Sequence, residues 1–170
     1  MNLAHFSAAT ALHPAAARHA GAVLRDVSLP AAAALSVAPS EHGHAMLAEA
    51  FRPTGGMALG DDLARLLEYL DHGDFISLAR HIAAHTVFGF TWRERLWIPM
   101  FQFELRDLSV QAASRAVLAE LGHAFDGWAL ACWFAEPNPW LGAQRPVDVL
   151  HSEHSAVCEA ARADRFALQG

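Results

Sequence analysis

Residues 127–135, Gly-Trp-Ala-Leu-Ala-Cys-Trp-Phe-Ala, constrain this chain more than any other stretch. A helix drawn through them has no polar side, because Trp128, Leu130, Cys132, Trp133 and Phe134 point in every direction. Such a helix is stable in water only when other elements cover it. The fold therefore has to be built around it. Asp126 is placed to cap its first turn by accepting a free backbone N–H. Pro137-Asn138-Pro139 then ends it, because proline bars helix and pushes the residue before it towards extended geometry.

The material to cover such a helix is present. The chain has 170 residues, 54% of them hydrophobic, with five Trp and ten Phe. That composition belongs to a globular protein. The formal net charge is −6, and every one of the 12 basic residues is Arg. A dedicated nucleic-acid binder usually carries a basic balance or stripe, so the charge disfavours that class. Cys132 sits in the apolar run and Cys158 far from it, with no zinc-type spacing and no disulfide framework. A reducing cytoplasm is the expected location. No apolar run approaches the roughly 20 residues that span a bilayer.

Hydropathy divides the chain into three. Residues 1–44 are rich in Ala, Ser, Pro and His, and their only charges are Arg18, Arg25, Asp26 and Glu41. They are expected to form a flexible tail; no apolar segment follows promptly on a charged start, as a signal peptide requires. Residues 45–103 are expected to hold a short helix at 45–51, a turn at Pro53-Thr54-Gly55-Gly56, and two amphipathic helices. Leu63, Leu66, Leu67 and Leu70 repeat at the helical period over 61–71. Asp74 caps a second helix, which carries Phe75, Leu78 and Ile82 and runs to about His85. Phe88, Phe90 and Trp92 then alternate, which predicts a hairpin over 87–103 with Pro99 at its edge. Residues 104–170 return to helix: one from Ser109 to Leu121, the buried one, a short one begun by Arg145-Pro146, and a last one over about 156–167 capped by Ser155. The fold class is mainly α, with one short β-hairpin in a helix-turn-helix-like half.

Three segments in this last part form a set. They are Pro99-Met100-Phe101-Gln102-Phe103-Glu104, then Trp133-Phe134-Ala135-Glu136-Pro137-Asn138-Pro139-Trp140-Leu141-Gly142, then Pro146-Val147-Asp148-Val149-Leu150. In this order and spacing the set resembles the toxin-binding domain of the Xre/MbcA/ParS-type antitoxins, over roughly the last 70 residues. The resemblance implies a protein-binding module, not an enzyme. It implies a cognate RES-type, NAD-consuming toxin as partner, with a homodimer as a possible assembly. It also implies that the C-terminal segment reaches the toxin's active-site cleft. Here that segment holds Arg162, Arg165, Phe166, Leu168 and Gly170, with Asn138 and Trp140 in the preceding motif. Arginines flanking an aromatic ring have the chemistry of an interface anchor. A terminal amphipathic helix that closes the bundle accounts for the same residues.

Many members of that family also carry a DNA-binding helix-turn-helix. The two helices within 61–86, with the hairpin as a wing, stand in the corresponding place. Arg80, Arg93 and Arg95 are the candidate DNA contacts, although the second helix offers only one Arg where a reading helix has several. His81 and His85, four apart, are the weak metal candidates; the Glu that a metalloprotease needs after the first His is Ile82 here. Phosphate-loop, nucleophile-elbow and dinucleotide motifs are missing from the sequence. No catalytic residue or cofactor is expected.

Overall fold

The computed structural model describes residues 38–169. Ser40 accepts the Gly43 N–H and starts α1 (Glu41–Phe51), four residues earlier than the sequence pattern suggests. Residues 41–44 of the expected tail are therefore helical, and the rest of that expectation, 1–37, lies outside the described residues. The Pro53–Gly56 turn leads into a strand that the sequence pattern does not reveal, β1 (Met57–Leu59). Next come α2 (Gly60–Tyr69) and α3 (Phe75–Ala83), the latter capped by Asp74 as its sequence predicts. The hairpin is β2 (Phe90–Trp92) and β3 (Arg95–Pro99). Arg93 and Glu94 both have positive φ, 48° and 61°, as a tight two-residue hairpin turn requires. β3 pairs with β2 on one side and with β1 on the other, antiparallel in both cases.

Four helices follow: α4 (Ala112–Leu121), α5 (Gly127–Ala135), α6 (Pro146–Val149) and α7 (His154–Gln169). α5 has the bounds read from the sequence, and Asp126 caps it through the Ala129 N–H. α7 begins before Ser155, so Ser155 lies inside its first turn. The protein is mainly helical with a small three-stranded antiparallel sheet. No helix among the described residues is long and apolar enough to cross a membrane.

Two apolar clusters support this arrangement. The larger is built on α5, from Trp128 to Ala135, and is covered by α1, α4, α6 and α7. Phe134 is fully buried, stacked with Phe88 and tilted against Phe101. A side chain of this kind contributes roughly 1.5–3 kcal/mol on full burial. Gly127 lets α5 cross the sheet closely, since a Cβ there would sit 2.0 Å from the Gly89 carbonyl oxygen. The smaller cluster joins α2 and α3 to the sheet through Leu63, Leu67, Leu78, Val87 and Ile98.

Gln102, the polar residue of the Phe-Gln-Phe segment, is fully buried where the two clusters meet. Its Oε1 accepts the Phe88 N–H at 2.7 Å, and its Nε2 donates to the carbonyls of Phe88 and Pro99 at 2.8 and 3.0 Å. Both ends of the amide are thus satisfied, which a buried amide needs.

Candidate partner-binding site

The Pro-Asn-Pro segment and α7 meet at one carboxylate. Asp164 is 3% exposed and accepts three side-chain N–H groups. Trp133 Nε1 donates to Oδ2 at 2.8 Å, Asn138 Nδ2 donates to the same oxygen at 2.8 Å, and Trp140 Nε1 donates to Oδ1 at 2.9 Å. Hydrogen bonds to an ionised acceptor are about twice as strong as neutral ones, so this contact fixes α7 to the loop after α5. Local geometry prepares the donors. Asn138 Oδ1 accepts the Trp140 N–H, and Gly142 takes φ 62° to turn the chain. Leu141 drops into the core. Asn138, expected among partner contacts, is itself 3% exposed and acts by holding Asp164.

The rest of the expected site lies around this contact. Trp140 leaves its ring 59% exposed while its N–H is held. Leu168 stands one turn beyond Asp164 on the same side of α7, exposed. Phe166 is 78% exposed, one turn beyond Arg162. Arg162 forms a two-pronged pair with Glu120 of α4, at 2.7 and 3.2 Å, and Arg165 approaches the same carboxylate at 3.8 Å. The Arg162 hydrogen bond holds the Glu120 carboxyl below its ordinary range, against the opposing effect of desolvation. Gly170 lies outside the described residues. In α7, Val157, Ala160 and Ala161 close the bundle, and the last turns carry the exposed side chains of Phe166 and Leu168.

Asp148 of the Pro146–Leu150 segment is held by a side chain. It receives the Arg145 guanidinium in a two-pronged pair at 2.6 and 2.9 Å. Asp164 is the residue that sequence reasoning missed. A signal existed, for Val157, Ala160, Ala161 and Asp164 follow the i, i+3, i+4, i+7 spacing of one helical stripe. A lone acid on an apolar stripe needs buried donors, and the Trp-rich segment supplies them.

The remaining candidates are dispersed. Arg93 is paired with Glu41 of α1 and lies over the Trp92 ring, 5.8 Å from its centre. Arg95 lies on β3 and Arg80 on the exposed side of α3. His81 and His85 do not share a helix face, because α3 ends at Ala83 and His85 has φ 53°. His81 Nδ1 lies 2.9 Å from Thr86 Oγ1 instead. No group of three metal-ligating side chains converges among the described residues. Burial raises the Cys132 thiol to about 11, which makes it a poor nucleophile.

Comparison with protein-family models, curated proteins and solved structures gives no match to this chain.

Proposed function

We propose that this chain is an antitoxin-type protein-binding module that neutralises a RES-type, NAD-consuming toxin through the end of α7 and the exposed face of Trp140. The observation that carries the reading is the threefold-bonded Asp164. It anchors the base of the last turns of α7, so Phe166 and Leu168 project from a fixed support. Anchors held in place before binding lose little freedom when they dock, and exposed aromatic and Arg side chains are the usual hot-spot chemistry. The segment pattern resembling the antitoxin family names the partner class.

The test is co-expression with a RES-domain protein encoded beside this chain, reading complex formation by gel filtration and NAD consumption in the lysate. A stable complex that spares NAD is expected, together with its loss in a Phe166→Glu, Leu168→Glu double variant. Unchanged NAD loss in the presence of excess wild-type chain would sink the proposal.

A second reading, a DNA-binding regulator, is favoured by one observation. The order α1-β1-α2-α3-β2-β3, with β1 beside β3, is that of a winged helix-turn-helix. Its difficulty is the face of α3, where Phe75 and Ile76 are exposed and Arg80 is the only Arg. Gel shifts at low salt with the flanking DNA decide it: binding weakened by Arg80→Ala supports regulation, and no shift removes it.

A further inference from the structure

The smaller apolar cluster is not closed on one side. A cavity of about 330 Å³ opens between α2, α3 and the loop around residues 103–110. Its apolar walls are Leu67, Leu78, Phe103, Leu108 and Val110, and its polar lining comes from His72, Ser77, His81, Ser109 and Arg115. That volume, with apolar walls and polar side chains in equal number around it, lies within the range of small-molecule sites.

Three details distinguish it from a packing fault. Leu108, a bulky residue, is held at φ 55° while its side chain is buried in the wall. Strain of that kind persists only where the surroundings enforce it, and it gathers at ligand clamps. The loop is in turn held by bonds from the Glu104 N–H to the Ser109 carbonyl and from the Leu108 N–H to the Glu104 carbonyl. The charges are also unequally matched. Asp107 accepts the Ser109 N–H, and Asp74 is engaged with Ser77. Arg115 has no carboxylate within ion-pair distance among the described residues.

We propose that this cavity binds a small carboxylic acid with an apolar body, the body lying against Leu67, Leu78 and Phe103 and the carboxylate meeting Arg115. A guanidinium suits this role because it can grip both carboxylate oxygens at once. The site is separate from the end of α7, so its occupation and partner binding can be measured independently.

The experiment is a titration of the full chain with phenylacetate and hexanoate, and with their neutral amides, followed by calorimetry and by amide shifts in NMR spectra. Saturable binding of at least one acid is expected, with shifts at Ser109 and Val110. The matching amide should bind about tenfold more weakly, the equivalent of one charge-assisted bond. Arg115→Gln, an exposed position, should weaken the acid by a similar factor without altering the fold. Ser109→Trp, which keeps the backbone bonds of the loop and fills the opening, should abolish binding. No saturable binding of either acid overturns the proposal. So does equal binding of acid and amide, or indifference to both substitutions.

Discussion

Two pairs of tryptophans in this chain place their indole N–H groups in different ways. Trp133 and Trp140 both donate their ring N–H to Asp164. Trp97 and Trp128 lie in an aromatic group with Phe90, Trp92 and His44, and their ring N–H groups have no partner among the described residues. Nε2 of His44 is also unpartnered, its ring stacked on Trp92 at 5.5 Å. One pair is placed by charge-assisted bonds of fixed direction. The other is placed by ring-on-ring contact, whose energy of about 0.5–1.5 kcal/mol per pair tolerates several orientations. The directional contact stands where α7 must hold its exposed end. The looser one stands where α1 covers the sheet.

That contrast sets the expected order of mutational effects. Asp164→Ala strands two buried donors and frees α7 from the loop, so a loss of about 3–5 kcal/mol is expected in urea unfolding. A loss below about 1 kcal/mol would mean that packing alone places α7. Trp133→Phe and Trp128→Phe sharpen the contrast, because they remove similar volume. The first leaves Asp164 one donor short and should cost about 2 kcal/mol, while the second deletes an unpartnered N–H and should cost about 1 kcal/mol or less. Equal losses would show that the bonds to Asp164 add nothing beyond burial. The smallest effect is one of pH. Burial lowers the pKa of His44, so the folded state prefers the neutral ring. Its stabilisation is complete above the unfolded value of about 6.5 and is lost as pH falls from there through the lowered folded value. Melting temperatures between pH 7.5 and 5 should fall more steeply for the wild type than for His44→Phe; parallel slopes would contradict this.

The same contrast explains what the sequence made legible. α5 was readable to the residue because three strong local signals coincide: the Asp126 cap, an unbroken apolar run and a proline stop. Asp74 marked the start of α3 for the same reason. β1 was not readable, since Met57-Ala58-Leu59 is too short to show a period and exists by pairing with β3, some forty residues on. The expected end of α3 near His85 is too late because the apolar pattern continues past Ala83, whereas His85 leaves helical geometry. At the candidate site, Trp140, Phe166 and Leu168 stood out as apolar residues near a terminus. Asp164 did not, because its importance depends on donors 24–31 residues away. Long-range polar contacts leave only a single misfit residue in a local pattern.

Gln102 carries a consequence for how the molecule comes apart. Its amide ties Phe88, which packs in the larger cluster, to Pro99 and to the 3₁₀ turn Met100–Gln102 that leads into the smaller one. All these partners lie within residues 88–102, so what joins that half to the helical one is the larger cluster, where Phe88 and Phe101 pack on Phe134. Residues 38–103 and 104–169 share that cluster, so a single cooperative melting transition is expected for the two.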